Sequence, residues 1–203
     1  ASLGLAIVAL LATPCLAGNA DRDTRAAVTV LLLDSEGHPL GSGVVVQAMS
    51  GGHWVATNRH VVDGLSHVCV VAHAQPVHAA VVMPEAGTPE QQKIDLALLW
   101  WPLHQVQSRP VASIQADIPH DVPLPLVVAS GYPTATTQQL QKLGYVEATG
   151  VLLPLLQQPL QGGFALAYTA DVRKGMSGGG IFMGQQLIGL NGVHPHPLWP
   201  GQW

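Results

Sequence analysis

Glycine and proline punctuate this chain, with 22 Gly and 16 Pro among 203 residues. Proline removes a backbone donor and glycine weakens a helix interior, so long helices and coiled coils are excluded. The runs between the breaks are short and rich in β-branched residues. They are Val28–Leu33, Gly43–Met49, His53–Thr57, Val68–Ala72, Val77–Val82, Asp95–Trp100, Leu124–Ala129, Val146–Leu153, Phe164–Thr169, Gly180–Met183 and Gln186–Leu190. Turn clusters separate them, among them Glu36-Gly37-His38-Pro39, Ser50-Gly51-Gly52 and Ser130-Gly131-Tyr132-Pro133. Strands of this length at this spacing predict an all-β sandwich or barrels. In the middle of the chain, Thr134–Leu143 alone reads as a helix. The proline-rich stretch Ser108–Pro125 reads as a linker between two halves, 24–115 and 116–203.

Charge narrows the function. Lys and Arg number 8 against 12 Asp and Glu, a net charge of −4, and charged residues are 10% of the chain. A nucleic-acid binder needs a cationic excess to neutralise phosphates, and none is present. Apolar residues at 48% argue against disorder. Ten histidines invite a metal reading. His67, His73 and His78 lack tight ligand spacing, His194-Pro195-His196 lacks a third ligand, and neither HExxH nor CxxC occurs. Neither a metal nor another cofactor is expected.

The first residues carry an apolar run, Leu3–Ala12, followed by Pro14 and small residues. The run is shorter than the roughly 20 residues that span a bilayer. It has the length of a signal-peptide core, with Ala17 or Ala20 as the cleavage position. The competing reading is a buried N-terminal strand or helix. An export signal over 1–20 predicts a periplasmic or secreted bacterial protein without membrane contact after signal removal. Cleavage after Ala17 leaves Cys69 as the single cysteine, so the mature fold stands without an intramolecular disulfide. Cys69 lies in the strand-like run His67–Val71 and reads as a small buried apolar group.

Three islands carry chemistry: Thr57-Asn58-Arg59-His60-Val61-Val62, Lys93-Ile94-Asp95-Leu96-Ala97-Leu98-Leu99, and Gly175-Met176-Ser177-Gly178-Gly179-Gly180. A serine hydroxyl is a weak nucleophile without an adjacent base. Its attack on an acyl carbon creates an oxyanion that needs preorganised donors. Glycines around Ser177 let the backbone turn sharply, and the N–H groups of Gly175 and Ser177 are the candidate donors. Alone, the segment could equally be a plain glycine-rich loop. It also matches the GxSxG elbow of α/β-hydrolases, which requires an acid after the serine. No Asp or Glu occurs from Gly178 to Trp203, so that reading fails on chain order. The acid and base lie upstream instead. Asp95 interrupts an apolar run, and an imidazole N–H is a suitable donor for a carboxylate there. Taken singly, Asp95 could pair with Lys93, and His60 could be an ordinary core or surface histidine. Together the three point to a Ser177–His60–Asp95 relay.

TNRHVV, DLALL and GMSGGG resemble the three signature segments of the trypsin-like, chymotrypsin-fold serine peptidases. The bacterial branch with the HtrA/Deg proteases and cyanobacterial trypsin-like peptidases is the most similar, over about Ala26 to Trp199. The resemblance implies two six-stranded antiparallel β-barrels with the active site in the cleft between them. It implies His60 as general base, Asp95 as its orienting acid, Ser177 as nucleophile and Gly175 with Ser177 as the oxyanion hole. It also places Asp171, six residues before the serine, at the base of the pocket for the substrate residue preceding the scissile bond. An Asp there favours Arg or Lys, unless Asp171 pairs with Arg173 or Lys174. Asn191 and Gly192, in the segment Leu187–Val193, are the expected substrate-binding wall. Met176 occupies the position where vertebrate-type members carry the Asp that receives a new N-terminus, so activation by that ion pair is not expected. No PDZ domain follows the protease segment in this sequence. The implied partners are polypeptide substrates, with the oligomeric state left open. The alternative is a catalytically silent relative that binds peptides in the same cleft. Protonation of His60 would remove the base, so activity is expected to fall on acidification.

Overall fold

The computed structural model describes residues 15–72, 75–83, 88, 93–102, 109–118, 124–134, 144–153 and 158–192. Strands β1 (Thr29–Leu33), β2 (Pro39–Met49), β3 (Gly52–Thr57), β4 (His67–Ala72), β5 (Gln75–Met83) and β6 (Ala97–Pro102) come from the first half. They form a closed barrel in the order β1-β2-β3-β6-β5-β4. Closure is the antiparallel pairing of β1 with β4, where Leu32 faces Val70. Successive strand side chains point to opposite faces. Along β6, Ala97, Leu99 and Trp101 are therefore buried, while Leu98, Trp100 and Pro102 are only half-buried. Val30, Leu32, Val45, Val55, Val70 and Leu99 fill the lumen with Trp101. Trp100, on the outside, meets Trp54 edge-on at 5.1 Å between ring centroids. Cys69 sits on the outer alternation of β4, half-buried, with its Sγ 3.7 Å from His78 Nδ1. It is not the fully buried apolar group expected from its neighbours.

The second half contributes β8 (Leu126–Gly131), β9 (Val146–Val151), β10 (Gly180–Met183) and β11 (Gln186–Leu190). A short β7 (Ser113–Ile114), from the stretch read as linker, joins them by pairing parallel with β11. The sheet order is β7-β11-β10-β8-β9. Val28 and Val44 from the first half pack with Phe182 and Leu187 from the second in one buried cluster. The two-unit, mostly-β architecture agrees with expectation. The second unit differs in detail, because the described residues give a five-stranded sheet there. Phe164–Thr169 does not form the expected strand. It meets β9 and its continuation through one isolated bridge, Leu152 with Tyr168, and through Leu153 N to Ala167 O at 2.8 Å. The Thr169 hydroxyl takes the N–H of Val151 at 3.0 Å, which diverts a donor from any longer ladder. The expected helix over Thr134–Leu143 falls outside the described residues after Thr134.

One helix extends past the N-terminal segment for which a strand or helix was weighed against an export signal. α1 (Cys15–Val28) runs through Ala17 and Ala20 and leads into β1. No proline interrupts Cys15 to Val28, and the β-branched run Val28-Thr29-Val30 takes the chain from the helix into β1. Its Arg25 is buried against the second sheet. Nε and Nη2 donate to the two carboxylate oxygens of Glu147 at 2.9 and 3.0 Å, and Nη1 donates to Gly184 O at 2.8 Å. The Tyr145 hydroxyl completes the cluster by donating to Glu147 Oε1 at 2.5 Å. Among the described residues, no helix is long and apolar enough to cross a membrane.

Candidate active site

His60 lies in a single 3₁₀ turn, Arg59–Val61, directly after β3. The turn carries His60 out of the sheet while Val61 stays in the barrel core. Asp95 lies just before β6, the strand paired with β3, so the barrel ladder brings the two together. Their link is double. The backbone N–H of His60 donates to Asp95 Oδ1 at 2.9 Å, and His60 Nδ1 stands 2.6 Å from Oδ2. Asn58 Nδ2 donates to the carbonyl of Asp95 at 3.0 Å, and the N–H of Asp95 donates to Gly162 O at 2.8 Å. The backbone of Asp95 is therefore tied from both halves of the molecule, while its carboxylate is held by His60. Burial disfavours its charge, but the hydrogen bonds from the His60 ring and backbone outweigh burial and hold the carboxyl below its ordinary range. An anionic Asp95 that accepts at Nδ1 makes Nδ1 the donor and leaves Nε2 as the free base.

Ser177 comes from the loop before β10 and is 7% exposed. Its carbonyl accepts the N–H of Ser42, on β2, at 2.8 Å. Ser42 Oγ donates to Gly175 O at 2.8 Å and accepts the N–H of Tyr132 at 2.8 Å. A residue of the first barrel thus holds the serine loop on both sides of Ser177. The glycines explain how the loop comes this close. Gly175 and Gly178 both adopt left-handed backbone, at φ +93° and +80°. A Cβ on Gly178 would stand 2.2 Å from Ser42 O and from Thr57 Oγ1. Among the described residues, no hydrogen bond joins Ser177 to His60, and the N–H groups of Gly175 and Ser177 donate to no protein acceptor.

The remaining site residues fall in different places. The Asp171 side chain is 82% exposed and 3.9 Å from Arg173, so the loop pairing weighed against a pocket base is the one present. Asn191 is buried, and its backbone and side chain are engaged inside the protein. Gly192 lies against Phe164, whose ring would stand 2.1 Å from a Cβ at that position. His194 and His196 fall outside the described residues. Sequence reasoning missed Ser42, Thr57 and Tyr168. Only the buried polar residues of the strands hinted at them, since a hydroxyl buried between barrels must find a partner.

A family model described as trypsin-like peptidase domain matches residues 41–190. The solved structures include several similar proteases. The Rv3671c protease of M. tuberculosis H37Rv, in an inactive form, is 23% identical with a TM-score of 0.62, over 88% of this chain and 80% of that one. The HtrA-type protease AlgW, solved with a decapeptide, is 19% identical with a TM-score of 0.64, over 87% of this chain and 58% of its own. A serine endoprotease from Yersinia pestis is 23% identical with a TM-score of 0.62, over 86% of this chain and 57% of its own. At these identities the structural likeness speaks for the fold. None of the curated proteins compared with the chain matches it.

Proposed function

The chain belongs to the trypsin-like peptidase family, and from that premise we propose that it is a serine endopeptidase working through Ser177, His60 and Asp95. The observation that carries the assignment is the doubly bonded His60–Asp95 pair, at 2.9 and 2.6 Å, with the Ser177 loop bonded to the same barrel through Ser42. His60 Nε2 takes the hydroxyl proton of Ser177 as Oγ attacks the scissile carbonyl. The negative charge that develops on the carbonyl oxygen is met by the N–H groups of Gly175 and Ser177. His60, now an imidazolium stabilised by Asp95, gives its proton to the leaving amine. Water then repeats the sequence on the acyl-enzyme and frees Ser177. The substrates are polypeptides, with Gly192, just beyond β11, as the proposed substrate contact. Exposure of Asp171 and its pairing with Arg173 weigh against Asp171 as the partner of a basic residue before the scissile bond. The apolar run Leu3–Ala12 supports export to the periplasm or beyond.

The test is hydrolysis of fluorescein-labelled casein by the wild type and Ser177→Ala. Wild-type turnover that disappears in the variant supports the reading. A silent, peptide-binding relative is the second reading, favoured by the missing hydrogen bond between Ser177 and His60. Such bonds often tighten only when substrate is bound. Peptide binding without casein turnover would establish the silent reading instead.

A further inference from the structure

A trans peptide is planar, with its C=O and N–H on opposite sides. Whatever holds the carbonyl of a peptide therefore also aims its N–H. The N–H of Gly175 shares a peptide plane with the carbonyl of Lys174. That carbonyl accepts from Thr134 twice, from the backbone N–H at 2.8 Å and from Oγ1 at 3.2 Å. The N–H of Ser177 shares a plane with the carbonyl of Met176. That carbonyl accepts from Asn191 Nδ2 at 3.0 Å and from Gly179 N at 3.0 Å.

Each polar atom of Asn191 is engaged within the protein. Its N–H donates to Gly179 O and its carbonyl accepts from Gly178 N, each at 2.7 Å. Its Oδ1 accepts from the Tyr168 hydroxyl. Met176 O can only accept, which fixes the amide nitrogen toward it and the amide oxygen toward Tyr168. Burial pushes the Tyr168 hydroxyl above its ordinary range, so it stays protonated and keeps donating. Asn191 is 2% exposed and keeps no polar group free for a substrate.

We infer that Asn191, braced by Tyr168, and Thr134 are positioning residues that fix the Met176–Ser177 and Lys174–Gly175 peptide planes and so aim the N–H groups of Ser177 and Gly175 before substrate arrives. This inference rests on the peptidase reading above. It gives Asn191 a role as a strut of the nucleophile loop in place of the substrate contact its sequence position suggested.

The experiment compares wild type, Asn191→Leu, Tyr168→Phe and Thr134→Val in casein turnover per active site. Active sites are counted by end-point fluorophosphonate titration, so unfolded protein is removed from the rate. Asn191→Leu keeps the volume but loses the donor to Met176 O. Its kcat per titrated site is expected to fall about 100-fold, the scale of losing one oxyanion donor, with KM within about threefold. Tyr168→Phe is expected to lower kcat roughly tenfold, and Thr134→Val, which keeps its backbone donor, only a few-fold. A general structural role would lower the titrated fraction or raise KM while leaving kcat per site near wild type. That result, in Asn191→Leu or, should that variant not fold, in Tyr168→Phe, overturns the inference. A wild type that neither titrates nor cleaves casein overturns the peptidase reading itself, a distinct outcome.

Discussion

The two halves of the molecule hold their parts of the site by different means. The first barrel is closed, and its strand ladder places His60 and Asp95 at the ends of paired neighbours, β3 and β6. Among the described residues the second half forms a five-stranded sheet, and Ser177 lies in a loop outside its ladder. That loop is held by a few polar contacts from Ser42, Thr134 and Asn191, residues far apart in sequence. The base and acid are thus set by regular secondary structure. The nucleophile is set by tertiary hydrogen bonds and by glycines that permit close approach. A ladder has many redundant bonds, whereas a loop held by a few buried contacts fails when one is lost.

This contrast can be broken from either side. The largest effect is expected from Asp95→Asn, which keeps shape but removes the acceptor that fixes the His60 tautomer. Its kcat should fall by about 10⁴-fold, while the circular dichroism spectrum stays close to wild type because the barrel core is untouched. Gly178→Ala attacks the other side. The added methyl would stand 2.2 Å from Ser42 O and Thr57 Oγ1, at a backbone φ of +80°. We expect at least a 100-fold loss of casein turnover with a stability loss of about 3 kcal/mol, read by urea denaturation. Retention of activity in that variant would mean the close approach is not required.

Much of the first half was legible in the sequence. The short β-branched runs and the turn clusters between them marked the strands of the barrel. The island TNRHVV revealed a histidine at a strand end, and Asp95 stood out as an acid among apolar residues. The second half was harder to read. Phe164–Thr169 has a strand's composition, yet it meets β9 and its continuation only through one bridge and a few bonds, since sheet pairing is decided by tertiary partners. Asn191 looked like a wall residue because it follows β11. Only the fold brings Tyr168 and Met176 to its two amide atoms. The extension of α1 past residue 20 was hard to read because Glu147, the partner of its Arg25, lies 122 residues away.

That long-range tie gives the next prediction. Arg25→Ala leaves Glu147 buried without its cation and should cost about 3 to 5 kcal/mol. Hydrogen exchange should show the loss in β9 and the β10–β11 turn before the first barrel. Uniform loss across both halves would erase the distinction between them. Acidification is a milder probe. The folded Asp95 carboxyl titrates below its ordinary value. Its stabilising contribution is therefore complete above about pH 4 and is lost as pH falls through the lowered folded value. Acid unfolding of Asp95→Asn should be correspondingly shallower than that of wild type. The smallest effect is expected at Gly37, also left-handed at φ +87° but with nothing within 4 Å of a Cβ. Gly37→Ala should cost only about 1 kcal/mol and leave turnover unchanged. It is the control that separates backbone strain from the crowding at Gly178.

The central claim is that Ser177, held by a loop between the halves, is the reactive group served by His60. Peptide mapping by mass spectrometry after treatment with a fluorophosphonate tests it most directly. The account predicts one adduct per chain, on Ser177, formed rapidly in wild type and only slowly in His60→Ala. An unlabelled Ser177, or an adduct whose rate of formation is indifferent to His60, would contradict it.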